Sequence, residues 1–181
     1  MITINHIITY LENLNQKEKD KLLISLLKKN KEEIKKIYYR SVATPEEIDD
    51  LFNDTKIEIE QEFFVIYYGV VQKKLAKAIG KSNKIIKAYA AIDKRPEKEA
   101  ELLLFILDIL FENFSNEFGT CWTVYDSKTG QLMSKLLNKV KKIHPDYIIE
   151  FEEKINNYLF RLKKIASHND VIYSLPDKLF V

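Results

Sequence analysis

Apolar residues return every three or four positions along almost the whole chain. Ile4, Ile7, Ile8, Leu11 and Leu14 open the pattern, and it is still running at Ile165. That spacing gathers side chains on one face of an α-helix, whereas a half-buried strand alternates. Few residues interrupt it: the 181 positions hold only four glycines and four prolines, the residues that most often punctuate helices. The expectation is an all-α fold. It is a single domain over 1–181 of about eight helices, stacked as antiparallel hairpins into a solenoid-like or irregular bundle, with a tail frayed from about 168.

Local signals set the helix starts. Asn15 with Glu18 has capping-box spacing and opens a helix carrying Leu22, Leu23, Leu26 and Leu27. Ile34, Ile37 and Tyr38 mark a short third helix. Thr44, Pro45 and Glu47 start another, predicted to bury Ile48, Leu51, Phe52 and Ile59. The run FFVIYYGVV at 63–71 has strand composition but no second such run to pair with. It reads as buried helix or as a packed non-helical connection. Further helices are predicted at 70–79, 83–92, 96–118, 127–143 and 145–166. Pro96 and Pro145 sit at helix starts, and Gly119 where a C-cap belongs.

Charge and cysteine content exclude several classes. A net charge of +2 does not by itself imply a polyanionic partner. The single cysteine, Cys121, cannot form an internal disulfide, which favours a reducing cytoplasm. The N-terminal stretch has neither the basic start nor the apolar run of a signal peptide. The most apolar run, 102–110, contains Asp108 and is too short to span a bilayer. No membrane partner is expected.

Four candidate chemistries can be weighed. Gly80, Lys81 and Ser82 match the end of a phosphate-binding loop, but Leu75 stands where its first glycine belongs and the preceding residues read as helix. The simpler reading is punctuation, with Gly80 ending one helix and Ser82 capping the next. The string GTCW at 119–122 is similar to the surroundings of the papain-like nucleophile, with His144, or His168 beside Asn169, as the only downstream histidines. The surrounding pattern is helical throughout, so Cys121 is expected to be a small buried thiol beside Trp122. His6, His144 and His168 offer no metal-ligand spacing. Glu101, Asp108, Glu112 and Ser115 share one narrow face of a helix otherwise covered by leucine and phenylalanine. Two carboxylates one turn apart can do acid–base work if burial separates their pKa values, but the simpler reading is the wet strip of a central helix.

The strongest departure from randomness is charge segregation. Residues 40–62 hold eight acids and two bases, and residues 63–95 hold eight bases and one acid. Lys77, Lys81, Lys84 and Lys87 step at helical spacing and form a stripe if the turn at Gly80 keeps them aligned. Such a stripe either binds phosphate or presents a solvated, partner-facing surface.

Four segments carry a family resemblance: NLNQKEKDKLLISLLKKNKEEIKKIY (13–38), EIEQEFF (58–64), SNKIIKAYAAI (82–92) and FSNEFG (114–119). The chain resembles a bacterial family of short helical proteins, the domain of unknown function sixty-one fifty-five. The resemblance implies an all-helical fold of stacked hairpins and carries no activity with it. The functional expectation is a cytoplasmic, non-enzymatic protein-interaction or regulatory module without cofactor or metal. The alternative is a nucleic-acid-associated protein using the basic 73–95 segment. The binding candidates are Lys77, Lys81, Lys84 and Lys87.

Overall fold

The computed structural model describes residues 3–64 and 70–179, and among these there are nine α-helices and no strand. The contacts divide the chain into two compact units, Met1–Pro45 and Glu46–Val181.

The first unit contains α1 (Ile4–Glu12), α2 (Gln16–Lys28) and α3 (Lys31–Ser41). The predicted capping box is present. The Glu18 N–H donates to Asn15 Oδ1 and the Asn15 N–H donates to Glu18 Oε2, both at 3.0 Å. Asn30 caps α3 by accepting from the Glu33 N–H. Helix α2 packs on α3, yet no residue of the three helices is buried.

The second unit is built from α4 (Pro45–Phe64, starting at the boundary), α5 (Val71–Ile92), α6 (Pro96–Asn113), α7 (Val124–Val140), α8 (Pro145–Ala166) and the short α9 (Asp170–Tyr173). Its centre is α6, where Leu102, Leu103, Ile106, Leu107 and Leu110 are fully buried. Each such side chain is worth about 1.5–3 kcal/mol in removed apolar surface.

Helix direction alternates from α4 to α8. Phe52 meets Tyr89 and Lys81 meets Glu62, so α4 and α5 are antiparallel. Lys139, near the end of α7, meets Glu99 near the start of α6. Lys154 meets Asp108, and Tyr158 stacks on Phe111 with ring centroids 4.3 Å apart, so α8 runs with α6. The expected antiparallel hairpins are therefore present. One consequence positions the site: α5 and α7, two helices apart in sequence, pack side by side and run parallel. Lys73 meets Trp122 at their N-terminal ends, and Asn83 meets Lys135 further along.

The structure corrects several sequence expectations. The two helices predicted at 70–79 and 83–92 are one helix, α5, with Gly80 and Ser82 in its interior. Gly80 does not take a positive φ; among the described residues Gly119 does, at 71°. The helix continues because one apolar face runs through it, with Leu75 and Ile79 buried before the glycine and Ile86 after it. Glycine's local weakness, about 1 kcal/mol against alanine, is smaller than that burial. Helix α6 ends at Asn113 rather than 118, and a 3₁₀ turn, Ser115–Glu117, leads to Gly119. The tail after 168 does not fray in its described part. Asn169 caps α9 and Ile172, Leu175 and Leu179 are buried. The run at 63–71 ends α4 at Phe64 and starts α5 at Val71, and its middle, 65–69, lies outside the described residues.

Candidate functional site

A single α5 aligns the predicted stripe. Lys77, Lys81, Lys84 and Lys87 are all exposed on it. Lys81 is neutralised, its Nζ lying 2.7 Å from the carboxylate of Glu62 on α4. Among the described residues, Lys77, Lys84 and Lys87 make no ion pair. Lys73, a turn nearer the N-terminus, holds its ammonium 4.4 Å above the half-exposed Trp122 ring.

Sequence reasoning missed the other half of this face. Helix α7 carries Lys128, Lys135 and Lys139, spaced i, i+7 and i+11, which puts them on one line. The spacing was legible, but its adjacency to the α5 stripe was not. Lys135 Nζ donates to Asn83 Oδ1 of α5 at 3.1 Å. Lys135 and Lys139 share the carboxylate of Glu99, at 3.7 and 2.5 Å, and Glu99 is itself nearly buried. Burial pushes the Lys135 amine below its usual value, the positive charges of Lys139 and Lys87 add to this, and Glu99 opposes it.

The acidic line on α6 is engaged rather than free. Asp108 accepts from Lys154 Nζ and from the Tyr158 hydroxyl, both at 2.7 Å. Glu101 accepts from Lys56 at 2.8 Å and Lys98 at 3.1 Å. Burial works to raise the Glu101 carboxyl, but the hydrogen bonds and charges of the two lysines outweigh it and hold the group low. Glu112 is exposed. Asp108 is thus occupied by α8, while Glu112, one turn on, faces solvent.

Cys121 is exposed, not buried as expected, because it sits in the short connection before α7 rather than in a helix face. Among the described residues no hydrogen bond joins it to a histidine. His168 instead lies 3.9 Å from the buried Asp126, and Asn169 donates to Ser127 Oγ at 2.9 Å. Asp126 holds the Gly119 turn by accepting its N–H. Burial raises the Asp126 carboxyl, against the Gly119 hydrogen bond and the charge of His168. His144 is the N-cap of α8. Among the described residues no group of three or more His, Cys, Asp or Glu side chains is placed to hold a metal, and no helix is long and apolar enough to cross a membrane.

Two clefts are present in the second unit. One of about 350 Å³ is lined by Glu60, Phe63, Phe64, Ile109, Asn113 and Phe114. Another of about 460 Å³ lies between α7 and the tail, with Lys141 and Lys178 as its charged groups. The first holds one carboxylate, Glu60, in a largely apolar lining, and the second sets its two lysines beside Ser134 and Ser174.

The fold and these surfaces define an all-α protein with a two-helix lysine face and, in its first unit, three amphipathic helices with exposed apolar faces. No protein-family model, curated protein or solved structure matches the chain.

Proposed function

We propose that the chain is a non-enzymatic protein-interaction module whose Met1–Pro45 unit is completed by a partner protein. One observation carries this reading. Each of α1, α2 and α3 has an apolar face, and none of their residues is buried. Ile4 is 76% exposed, Leu26 58% and Leu23 55%. Ile7, Ile8, Ile34, Ile37 and Tyr38 add to the same kind of surface. A segment of about 45 residues is too small to bury much of its own surface. Exposed apolar faces of this extent mark interaction surfaces, and helical residues at i, i+3 and i+4 are what an apolar groove on a partner receives. The engaged carboxylates of α6 support the non-enzymatic part of the reading. The lone cysteine supports a cytoplasmic setting. Membership of the domain-of-unknown-function family sixty-one fifty-five is proposed on the four segments that carry the resemblance.

The test is capture from nuclease-treated native lysate, with the full chain compared with Leu23→Asp/Leu26→Asp. Both leucines are exposed, so the variant should fold. A partner protein is expected to be retained by the wild type and lost with the variant at nearly unchanged Tm. Equal retention by both chains, or retention only in lysate with intact nucleic acid, would overturn the reading.

A further inference from the structure

Helix α5 has six lysines and no acid. Helix α7 has three lysines and one acid, Asp126, buried on the side opposite Lys135. On the continuous α5, Lys73, Lys77 and Lys84 fall within about 40° of each other, and Lys87 lies about 40° further round, toward α7. The row from Lys73 to Lys87 is about 21 Å long, and that from Lys128 to Lys139 about 16 Å, at 1.5 Å per residue. Packed helices lie about 8–10 Å apart, so the parallel pair carries two roughly parallel rows of ammonium groups. Two carboxylates reach this face: Glu99, which serves two lysines, and Glu117, which accepts from Gln72 of α5 at the N-terminal end. Glu62 engages only Lys81, at the far edge. Both rows stand on buried anchors, Leu75, Ile79 and Ile86 under one and Leu132 and Leu136 under the other.

We infer that the α5–α7 lysine face is a binding site for the sugar–phosphate backbone of nucleic acid, recognised without regard to sequence. Seven lysines stand on this face with two carboxylates, Glu99 between the rows and Glu117 at their N-terminal end, and a row of phosphates supplies the missing negative charge. Lysine is a point charge on a flexible stem, suited to phosphate contacts and not to the bidentate base readout of arginine. Neither helix contains an arginine. Released counterions drive such binding. The lowered Lys135 amine fits the same crowding, since like charges work together with burial to disfavour its charged form. A membrane surface fits less well. A helix lying on lipid needs an apolar face beside its lysines, and α5 exposes no large apolar side chain, while α7 exposes only Val124 at its start. Trp122, half-exposed at the same end as Lys73, offers a ring on which an unpaired base can stack.

The site is tested by fluorescence anisotropy of the full chain, with a labelled mixed-sequence DNA duplex of about 20 base pairs and a single-stranded RNA of about 20 nucleotides. Phosphatidylserine vesicles and polyglutamate are the competing probes. Binding to at least one nucleic acid is expected, with a slope of log K against log salt of about −4 to −6. Lys84→Gln is expected to make that slope shallower by about 0.7–0.9. Lys77→Glu/Lys84→Glu/Lys128→Glu is expected to abolish binding with unchanged circular dichroism and Tm, whereas Lys17→Glu on α2 leaves binding intact. Trp122→Ala separates the two nucleic acids, since only a stacked single strand loses affinity about tenfold. The proposal is overturned if the triple variant binds like wild type, if Lys17→Glu loses as much, or if vesicles or polyglutamate bind more tightly than either nucleic acid. The readout uses neither the partner of the first unit nor its apolar faces, so this site and the interaction module stand or fall separately.

Discussion

Two residues in the interior of α5 work against its stability. Gly80 has open space where a Cβ would go, with no atom of the described residues within 4 Å. Gly80→Ala is expected to raise stability by about 0.5–1 kcal/mol, the difference between the two residues inside a helix. Ser82 is fully buried, and its hydroxyl has no hydrogen-bond partner among the described residues. Ser82→Ala removes an unsatisfied polar group and is expected to gain about 1 kcal/mol. Thermal melts of the two variants check both values; a loss in either case would mean that the residue makes contacts absent from this account. Gly119 is the opposite case. Its φ is +71°, and an added Cβ would stand 2.7 Å from the carbonyl oxygen of Ile165. Gly119→Ala is therefore expected to destabilise by about 1–3 kcal/mol, the range for a residue forced into a rarely populated backbone region. The sequence made Gly119 legible because it follows a helical run and precedes another. Gly80 looked the same and meant something else, because the apolar face on either side of it was continuous.

At the scale of elements, the corner between α5 and α6 is held by one carboxylate. Asp93 accepts from the Tyr89 hydroxyl at 2.6 Å, from the Arg95 N–H at 2.9 Å and from the Arg95 guanidinium at 2.7 Å. Burial alone would raise this carboxyl, but the hydrogen bonds from Arg95 and Tyr89, with the charge of Arg95, hold it below its usual range. A carboxyl lowered on folding contributes stability that is present above the unfolded pKa of about 4 and lost as pH falls through the lower folded value. Asp93→Asn is expected to cost about 1–2 kcal/mol at pH 7, or about 2–8 °C in Tm. The gap between variant and wild type should close as pH drops below about 3. Melting curves across that range test the sign. A gap that stays constant with pH would mean the corner depends on shape and not on the charge of Asp93. Helix caps of this kind are short-range, which is why Pro96, Pro145 and the Asn15–Glu18 box could be read from sequence alone. The end of α6 could not. Phe114 and Phe118 extend the apolar pattern past Asn113, but their rings serve contacts with Phe63 and with Phe111 and Tyr125 in a chain that has already left the α-helix.

For the whole molecule, protection should differ sharply between the two units. Helices α6 and α7 carry the most buried residues, while α1–α3 carry none. Amides open locally where few apolar contacts hold them and only globally where the core does. Hydrogen exchange is expected to be slowest in α6 and α7 and fastest in α1–α3. Addition of the captured partner should slow the α1–α3 amides, and addition of nucleic acid should not. Equal protection in both units of the free chain would mean that the first unit is stabilised by contacts its exposed faces do not reveal.

The sequence by itself determined that the chain is helical, where most helices begin, and that Lys77, Lys81, Lys84 and Lys87 step at helical spacing. Period, caps and proline positions are local properties, and a few neighbouring residues suffice to express them. Tertiary structure alone decided that α5 is unbroken, that Cys121 is exposed and that Asp108 is engaged by Lys154 and Tyr158. It also decided that Lys128, Lys135 and Lys139 stand beside the α5 row. These outcomes depend on which helices become neighbours. That is settled by burying apolar surface across residues far apart in the chain, a sum no local pattern contains.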